Sequence, residues 1–185
     1  MKIGVFDSGV GGKTFVSEIA KRFPDAEIIY REDSENLPYG DKSPQELFDL
    51  TLPIFREFED GGCDAVLVAC NTVTTNIISE LREELTVPLV GVEPMIKPAA
   101  SMTESGVITV CATPATLQSQ RYEDLKQEFG EGIEIIEPDC SDWAQMVEDN
   151  REDEINLVKL VTESVQEGSD VILLACTHYH WIEER

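Results

Sequence analysis

The sequence has no long apolar segment and few basic residues. Its 185 residues include 14 Lys and Arg against 37 Asp and Glu, which gives a formal net charge of −23. The longest apolar runs are only as long as a strand, which is too short to cross a bilayer. Residues 1–7 read as a strand rather than a secretory signal. Because an acidic surface repels nucleic-acid phosphates and anionic lipids, we expect a cytoplasmic protein that binds neither nucleic acid nor membrane.

Histidine is scarce, and the cysteines lack the spacing of common metal or disulfide motifs. The chain has two histidines and no Cys-x-x-Cys pair among its five cysteines, Cys63, Cys70, Cys111, Cys140 and Cys176. Disulfides and a zinc ribbon are therefore poor explanations of the cysteines. A zinc site made of Cys70, Cys176, His178 and His180 remains an alternative, although zinc ligands usually lie closer together in the sequence. We expect no metal site.

An internal repeat singles out two of the cysteines. Residues 62–72 and 168–178 each contain Gly-x-Asp, an apolar run, Ala-Cys and a polar end, and Cys70 and Cys176 are 106 residues apart. The same offset places Asp7 opposite Thr113, which follows another apolar run. Both matches indicate a duplicated α/β unit. A strand equivalent to residues 87–92 would begin near residue 193, so we expect the second half to be incomplete at its C-terminus.

The hydrophobic pattern alternates between strands and helices. We predict strands over residues 2–7, 26–30, 65–70, 87–92, 107–111, 133–137 and 171–176, and helices over residues 14–23, 44–60, 74–85, 115–129, 143–148 and 154–167. A segment around Pro94 and Pro98 is predicted to cross between halves. This order predicts an α/β fold with two pseudosymmetric halves, residues 1–97 and 98–185. Each half is predicted to be a parallel sheet flanked by helices, with the active site between the halves.

Polar and thiol side chains collect where the predicted strands end. In open α/β sheets ligands bind outside the carboxyl ends of the strands. The residues at these ends are Asp7, Ser8, Cys70, Asn71, Thr72, Thr113, Cys176, Thr177 and His178. Helices predicted near Asn71 and Thr177 would turn their N–H groups toward a carboxylate. Thiols from opposite halves suit a reaction in which one removes a proton from a carbon and the other returns it, and this needs no cofactor.

Five short motifs, in this order, resemble the signatures of the glutamate racemase family. They are Phe-Asp-Ser-Gly-Val-Gly-Gly at 6–12, Pro-Tyr-Gly at 38–40, Cys-Asn-Thr at 70–72, Val-Gly-Val-Glu-Pro at 90–94 and Cys-Thr-His-Tyr at 176–179. The resemblance implies proton transfer by Cys70 and Cys176, with Asp7, His178 and Glu148 as acid/base partners. It implies substrate binding by Asp7, Ser8, Pro38, Tyr39, Gly40, Asn71, Thr72, Thr113, Thr116, Thr177 and His178. It also implies a homodimer and a supply of D-glutamate for peptidoglycan.

The sequence departs from the family pattern at two places and leaves other interpretations open. Ala175 and His180 stand where the family commonly has Gly and Pro. Asp7 could serve only as a turn residue, and Pro38-Tyr39-Gly40 could be only a turn. The glycines at 9–12 match neither a dinucleotide fingerprint nor a Walker loop. The alternative functions are racemisation of aspartate or another small acid, and an inactive ligand-binding homologue.

Overall fold

The computed structural model describes residues 1–183 and contains two parallel β-sheets. The first sheet has the order β2-β1-β3-β4, with β1 Lys2–Asp7, β2 Glu27–Glu32, β3 Ala65–Val68 and β4 Leu89–Gly91. The second has the order β6-β5-β7, with β5 Val107–Cys111, β6 Glu134–Ile136 and β7 Val171–Leu174. Each strand pairing in these two sheets is parallel. The predicted α/β fold with two parallel sheets is therefore confirmed.

Helices connect the strands in both halves. They are α1 Lys13–Arg22, α2 Pro44–Asp60, α3 Asn71–Glu84, α4 Ile96–Met102, α5 Pro114–Leu117, α6 Gln120–Phe129, α7 Trp143–Glu148 and α8 Leu157–Gln166. Short 3-10 turns lie at Val10–Gly12, Ser34–Asn36, Tyr39–Asp41, Glu152–Glu154 and Thr177–Ile182. In residues 1–183 no helix is both long and apolar enough to span a membrane.

The two sheets repeat one arrangement. In the first sheet β1 lies between β2 and β3, and in the second β5 lies between β6 and β7. Adding 106 to the bounds of β3 gives those of β7, so the spacing found in the sequence relates equivalent strands. Within residues 1–183, β4 has no counterpart beside β7.

The helix predicted over residues 74–85 begins three residues earlier, at Asn71, and two other predicted helices have different bounds because side chains cap new starts. The predicted helix 115–129 is two helices, because the Ser119 side chain accepts a hydrogen bond from Tyr122 N and opens α6. The predicted helix 154–167 starts instead at Leu157, where the Asn156 side chain accepts from Lys159 N. Polar residues that can cap a helix override the apolar period on which the prediction was based.

The connection between the halves also differs from the prediction. The segment predicted as a crossover contains α4, in which Pro98 occupies the first turn. Proline is tolerated there because the first N–H groups of a helix have no partner within it. Ile96 and Ala99 of this helix belong to the core of the second half. The predicted boundary between residues 97 and 98 thus passes through α4, and the division into two domains stays a prediction.

Separate apolar cores support the halves. Phe6, Phe55 and Phe58 pack as tilted rings in the first half, with centroids 5.0 and 6.1 Å apart. In the second half Ile108 and Tyr122 belong to one cluster, and Cys111, Cys140 and Tyr179 belong to another. The cores hold both sheets in place, so the loops after their strands meet at fixed positions.

Candidate active site

A narrow cleft lies between the halves, at the carboxyl ends of the central strands. Twelve of the predicted site residues line it, namely Ser8, Pro38, Tyr39, Gly40, Cys70, Asn71, Thr72, Thr113, Glu148, Cys176, Thr177 and His178. Leu37, Ala144 and Gln145 also line the cleft and were missed, because neither strand ends nor motifs mark them. Asp7 and Thr116 do not line it and lie behind its walls.

Cys70 lies just beyond β3, where the chain leaves the sheet and turns into α3. The strand ends at Val68, two residues earlier than predicted, and Cys70 takes the N-cap position of α3. Its Sγ donates to Ser8 Oγ at 3.5 Å. Burial raises the pKa of the Cys70 thiol to about 12, and the negative charge of Asp7 contributes to this rise. Cys70 is therefore a neutral thiol in the closed cleft.

Cys176 is the first residue of a row of acid/base groups. The chain leaves β7 at Leu174, also two residues earlier than predicted, and a 3-10 turn rather than an α-helix starts at Thr177. The Sγ of Cys176 lies 3.7 Å from His178 Nδ1, and His178 Nε2 lies 2.6 Å from Glu148 Oε1. This row runs from the thiol through an imidazole to a carboxylate, a sequence of groups that can accept or hold a proton.

The two partners in this row are charged at neutral pH. Burial lowers the pKa of His178, but hydrogen bonds to Cys176 and Glu148 outweigh it and raise that pKa to about 10. Burial likewise opposes ionisation of Glu148, yet its bonds with His178 and Val10 N–H keep the Glu148 pKa below its ordinary value. His178 and Glu148 thus form a partly buried ion pair.

Asp7 lies beneath the cleft and connects the two halves. Its Oδ2 accepts from Gly12 N at 2.8 Å and from Gly9 N at 3.4 Å. Thr177 Oγ1, from the second half, lies 3.1 and 3.2 Å from its two oxygens. Full burial raises the pKa of Asp7 to about 6, although nearby His178 and these hydrogen bonds lower it. Asp7 therefore titrates close to neutral pH.

Hydroxyl groups from both halves meet in the wall of the cleft. Thr72 Oγ1 and Thr113 Oγ1 are 2.9 Å apart across the two halves, and Thr113 Oγ1 donates to Thr116 Oγ1 at 3.0 Å. The Tyr39 hydroxyl is already used, because it donates to Asp33 Oδ2 at 2.6 Å. Thr116 and Asp33 thus hold wall residues in place from outside the cleft.

The positive charge of the cleft comes from a histidine and the start of a helix. No Lys or Arg from residues 1–183 lines it, and His178 is its cation. The start of α3 adds backbone N–H groups and the positive end of the helix dipole. His180 lies in a separate groove with Glu183, so the four residues of the zinc alternative do not converge.

A family model described as Asp/Glu/Hydantoin racemase matches residues 13–185. The chain belongs to this racemase family. The glutamate racemase of Methylococcus capsulatus is 39% identical over 97% of this chain and 68% of its own length. The glutamate racemase of Stutzerimonas stutzeri is 37% identical over 97% of this chain and 70% of its own length. The chain is thus an enzyme of the glutamate racemase type, as its motifs predicted.

Solved structures of the racemase family share the fold described above. Escherichia coli glutamate racemase, solved with L-glutamate and the activator UDP-MurNAc-ala, superposes with a TM-score of 0.87. It is 30% identical and matches 99% of this chain and 71% of its own. The isoform RacE1 of Bacillus anthracis gives a TM-score of 0.81 at 33% identity, over 98% of this chain and 70% of its own.

Proposed function

We propose that the chain interconverts L- and D-glutamate by proton transfer at Cα, with Cys70 and Cys176 as the two acid/base groups and no cofactor. The observation that carries the proposal is the position of the thiols. They follow equivalent strands of the two halves and line one cleft. A substrate between them presents opposite faces of its Cα to the two sulfurs.

The proton balance is the same in both directions. One cysteine, as a thiolate, takes the Cα proton and becomes a thiol, while the other thiol gives its proton to the opposite face. The product is the mirror image, and the two cysteines have exchanged protonation states. Cys70, whose pKa burial raises to about 12, is the thiol that gives a proton in one direction, and in the other direction the two cysteines exchange roles. The His178–Glu148 pair lies next to Cys176, and its imidazolium places a positive charge beside the sulfur.

The surroundings of the cleft favour a small amino acid with acidic groups. Backbone N–H groups at the start of α3 and the hydroxyls of Ser8, Thr72 and Thr113 offer hydrogen bonds to carboxylates. His178 supplies the positive charge. The relatives at 37–39% identity are glutamate racemases, which favours glutamate over aspartate. We further propose that the product is D-glutamate for peptidoglycan, made in the cytoplasm. The predicted homodimer stays a prediction.

The test is exchange of the Cα proton of glutamate in deuterium oxide, followed together with racemisation. Cys70→Ala and Cys176→Ala should each lower racemisation by about 10²–10⁴-fold, because either change removes one of the two proton-transfer groups. Cys63→Ala is the matched control, since Cys63 is a buried thiol in the core of the first half.

Two results would contradict the proposal. One is the absence of exchange in the unaltered protein, which would favour a ligand-binding homologue. The other is full racemisation by both cleft variants. The same assay with both enantiomers of aspartate identifies the substrate. A larger kcat/KM for aspartate than for glutamate would show that aspartate is the substrate.

A further inference from the structure

We propose that Tyr30 is a positioning residue for the acid/base groups of the cleft, and that it acts by clamping one peptide of the turn that follows β1. The inference rests on the proposed function. Tyr30 does not line the cleft, no sequence motif includes it, and its strand β2 is at the outer edge of the first sheet.

The clamp consists of one short hydrogen bond. The Tyr30 hydroxyl donates to the carbonyl oxygen of Gly9 at 2.5 Å. Gly12 permits this approach, since a Cβ at residue 12 would lie 3.0 Å from Tyr30 Cε2 and 2.5 Å from Asp7 Cβ. The glycine of this turn thus makes room for the tyrosine ring beside the turn.

The carbonyl that Tyr30 holds belongs to the same peptide as an N–H group used in the cleft. A peptide is planar, so fixing the Gly9 carbonyl also fixes the direction of the Val10 N–H. That N–H donates to Glu148 Oε1 at 2.8 Å, and the same oxygen accepts from His178 Nε2 at 2.6 Å. A Cβ at Gly9 would clash with Glu148 Oε1, so the carboxylate sits directly against this peptide. Tyr30 therefore holds one side of the peptide and Glu148 contacts the other.

The same turn also supports Asp7. Gly9 N and Gly12 N, on both sides of the clamped peptide, donate to Asp7 Oδ2 at 3.4 and 2.8 Å. The Tyr30 hydroxyl on β2 thus positions N–H groups that donate to two carboxylates. One is Asp7, near Cys70, and the other is Glu148, which pairs with His178 beside Cys176. These N–H bonds lower the pKa of Asp7 and of Glu148, so loosening the turn should raise the pKa of both carboxyls.

The charges around Tyr30 keep it a donor. Burial raises the pKa of its hydroxyl well above the ordinary value, and the charges of Asp7, Glu32 and Glu148 and a hydrogen bond with Glu32 add to this rise. Lys13 is the basic group of the turn, and it lies 3.6 Å from Glu32. Because the hydroxyl does not ionise across the working range, the clamp is present at every pH at which the cleft groups titrate.

The experiment compares Tyr30→Phe with Tyr122→Phe. Tyr122 is the matched control, because its hydroxyl donates to Glu137 Oε1 at 2.9 Å in the second half, away from the cleft. Tyr30→Phe should lower kcat for glutamate about tenfold, with KM changed less than about twofold, since the acid/base groups move while the substrate-binding wall stays. In the pH profile of kcat, the acidic limb of Tyr30→Phe should shift to higher pH by about half a pH unit. The control should leave the profile unchanged.

Amide hydrogen exchange tests the clamp independently of catalysis. The Val10 and Gly12 amides should exchange about tenfold faster in Tyr30→Phe than in the unaltered protein, and at the original rate in Tyr122→Phe. Unchanged amide exchange in Tyr30→Phe would overturn the inference. Faster exchange with an unchanged pH profile would also overturn it, because the clamp would then be structural only. Absence of racemisation in the unaltered protein would count against the proposed function instead, and amide exchange would still test the clamp.

Discussion

At the scale of residues, the two cysteines occupy equivalent places but have different neighbours. Cys70 faces the Ser8 hydroxyl and lies within the field of Asp7, whereas Cys176 faces the His178–Glu148 pair. The residue that corresponds to Asp7 at the repeat offset is Thr113, an uncharged residue. The two halves therefore share a strand and a thiol at these positions, while the charged groups beside the two thiols differ.

The buried carboxyl of Asp7 lowers the stability of the fold when it is ionised. Its native pKa of about 6 exceeds the ordinary 3.8, so the fold favours the protonated form. Stability from this group is present below pH 3.8 and is lost as the pH rises through about 6. Asp7→Asn cannot ionise, and it should increase the free energy of unfolding by about 2 kcal/mol near pH 8 while lowering racemisation.

Urea unfolding between about pH 4 and 8 measures this effect. The gain of Asp7→Asn should shrink as the pH falls toward about 4, because the unaltered carboxyl is then protonated in the folded state and partly protonated in the unfolded state. Asp25→Asn is the control, since Asp25 is exposed and belongs to none of the apolar clusters. A gain that does not depend on pH would show that the shifted pKa is not its cause.

At the scale of elements, the ends of strands and helices decide where the functional side chains lie. β3 and β7 each stop two residues before a cysteine, so both thiols leave the sheet instead of being paired within it. The hydrophobic pattern predicted longer strands, because Ala69 and Ala175 continue the apolar runs. What terminates the strands is the start of the next turn or helix, which requires a different backbone conformation.

The capping box of α2 has a measurable cost if it is removed. The Ser43 side chain accepts from Glu46 N, and Ser43 N donates to Glu46 Oε2 at 2.9 Å. Ser43→Ala should lower the free energy of unfolding by about 1 kcal/mol, because two N–H groups at the helix start lose their partners. Ser17→Ala, at an exposed position inside α1, is the control and should be close to neutral. Equal losses for both serines in urea unfolding would refute the capping role.

At the scale of the whole molecule, the halves are closed on the cleft. The cleft leaves about 20 Å³ for the centres of water-sized molecules, close to the space that one water occupies. Links between halves include Thr72–Thr113, Asp7–Thr177 and a two-bond pair from Arg121 to Glu93 at 2.7 and 2.8 Å. Glutamate is larger than one water, so we expect the halves to separate for entry and to close again for proton transfer.

The net charge of −23 affects how fast an anionic substrate associates with the protein. An anionic amino acid is repelled at long range, and salt screens this repulsion within about 10 Å at 0.1 M. We expect kcat/KM for glutamate to rise about threefold between about 0.02 M and 0.5 M KCl. The kcat at saturating glutamate serves as the control and should stay nearly constant. A fall in kcat/KM with salt would show that local attraction in the cleft outweighs the net charge.

Most of the cleft was predicted from the sequence because strand ends and motifs are local features. Both cysteines, Ser8, Thr113 and Thr177 were placed by the rule that ligands bind at the carboxyl ends of parallel strands. Gln145 and Leu37 were missed because their place in the wall depends on how α7 and the loop after β2 fold over the cleft. Tyr30 was missed for the same reason, since its partner Gly9 is distant in the sequence.

The sequence by itself determined the α/β fold, the internal repeat, the pair of cysteines and the family to which the chain belongs. These properties follow from the periodicity of apolar residues and from short motifs, which are readable along the chain. The tertiary structure alone decided that Asp7 lies behind the cleft, that Glu148 reaches His178, and that Tyr30 holds the turn between them. Burial and charge at these residues depend on segments far apart in the sequence, and only packing of the two halves brings those segments together.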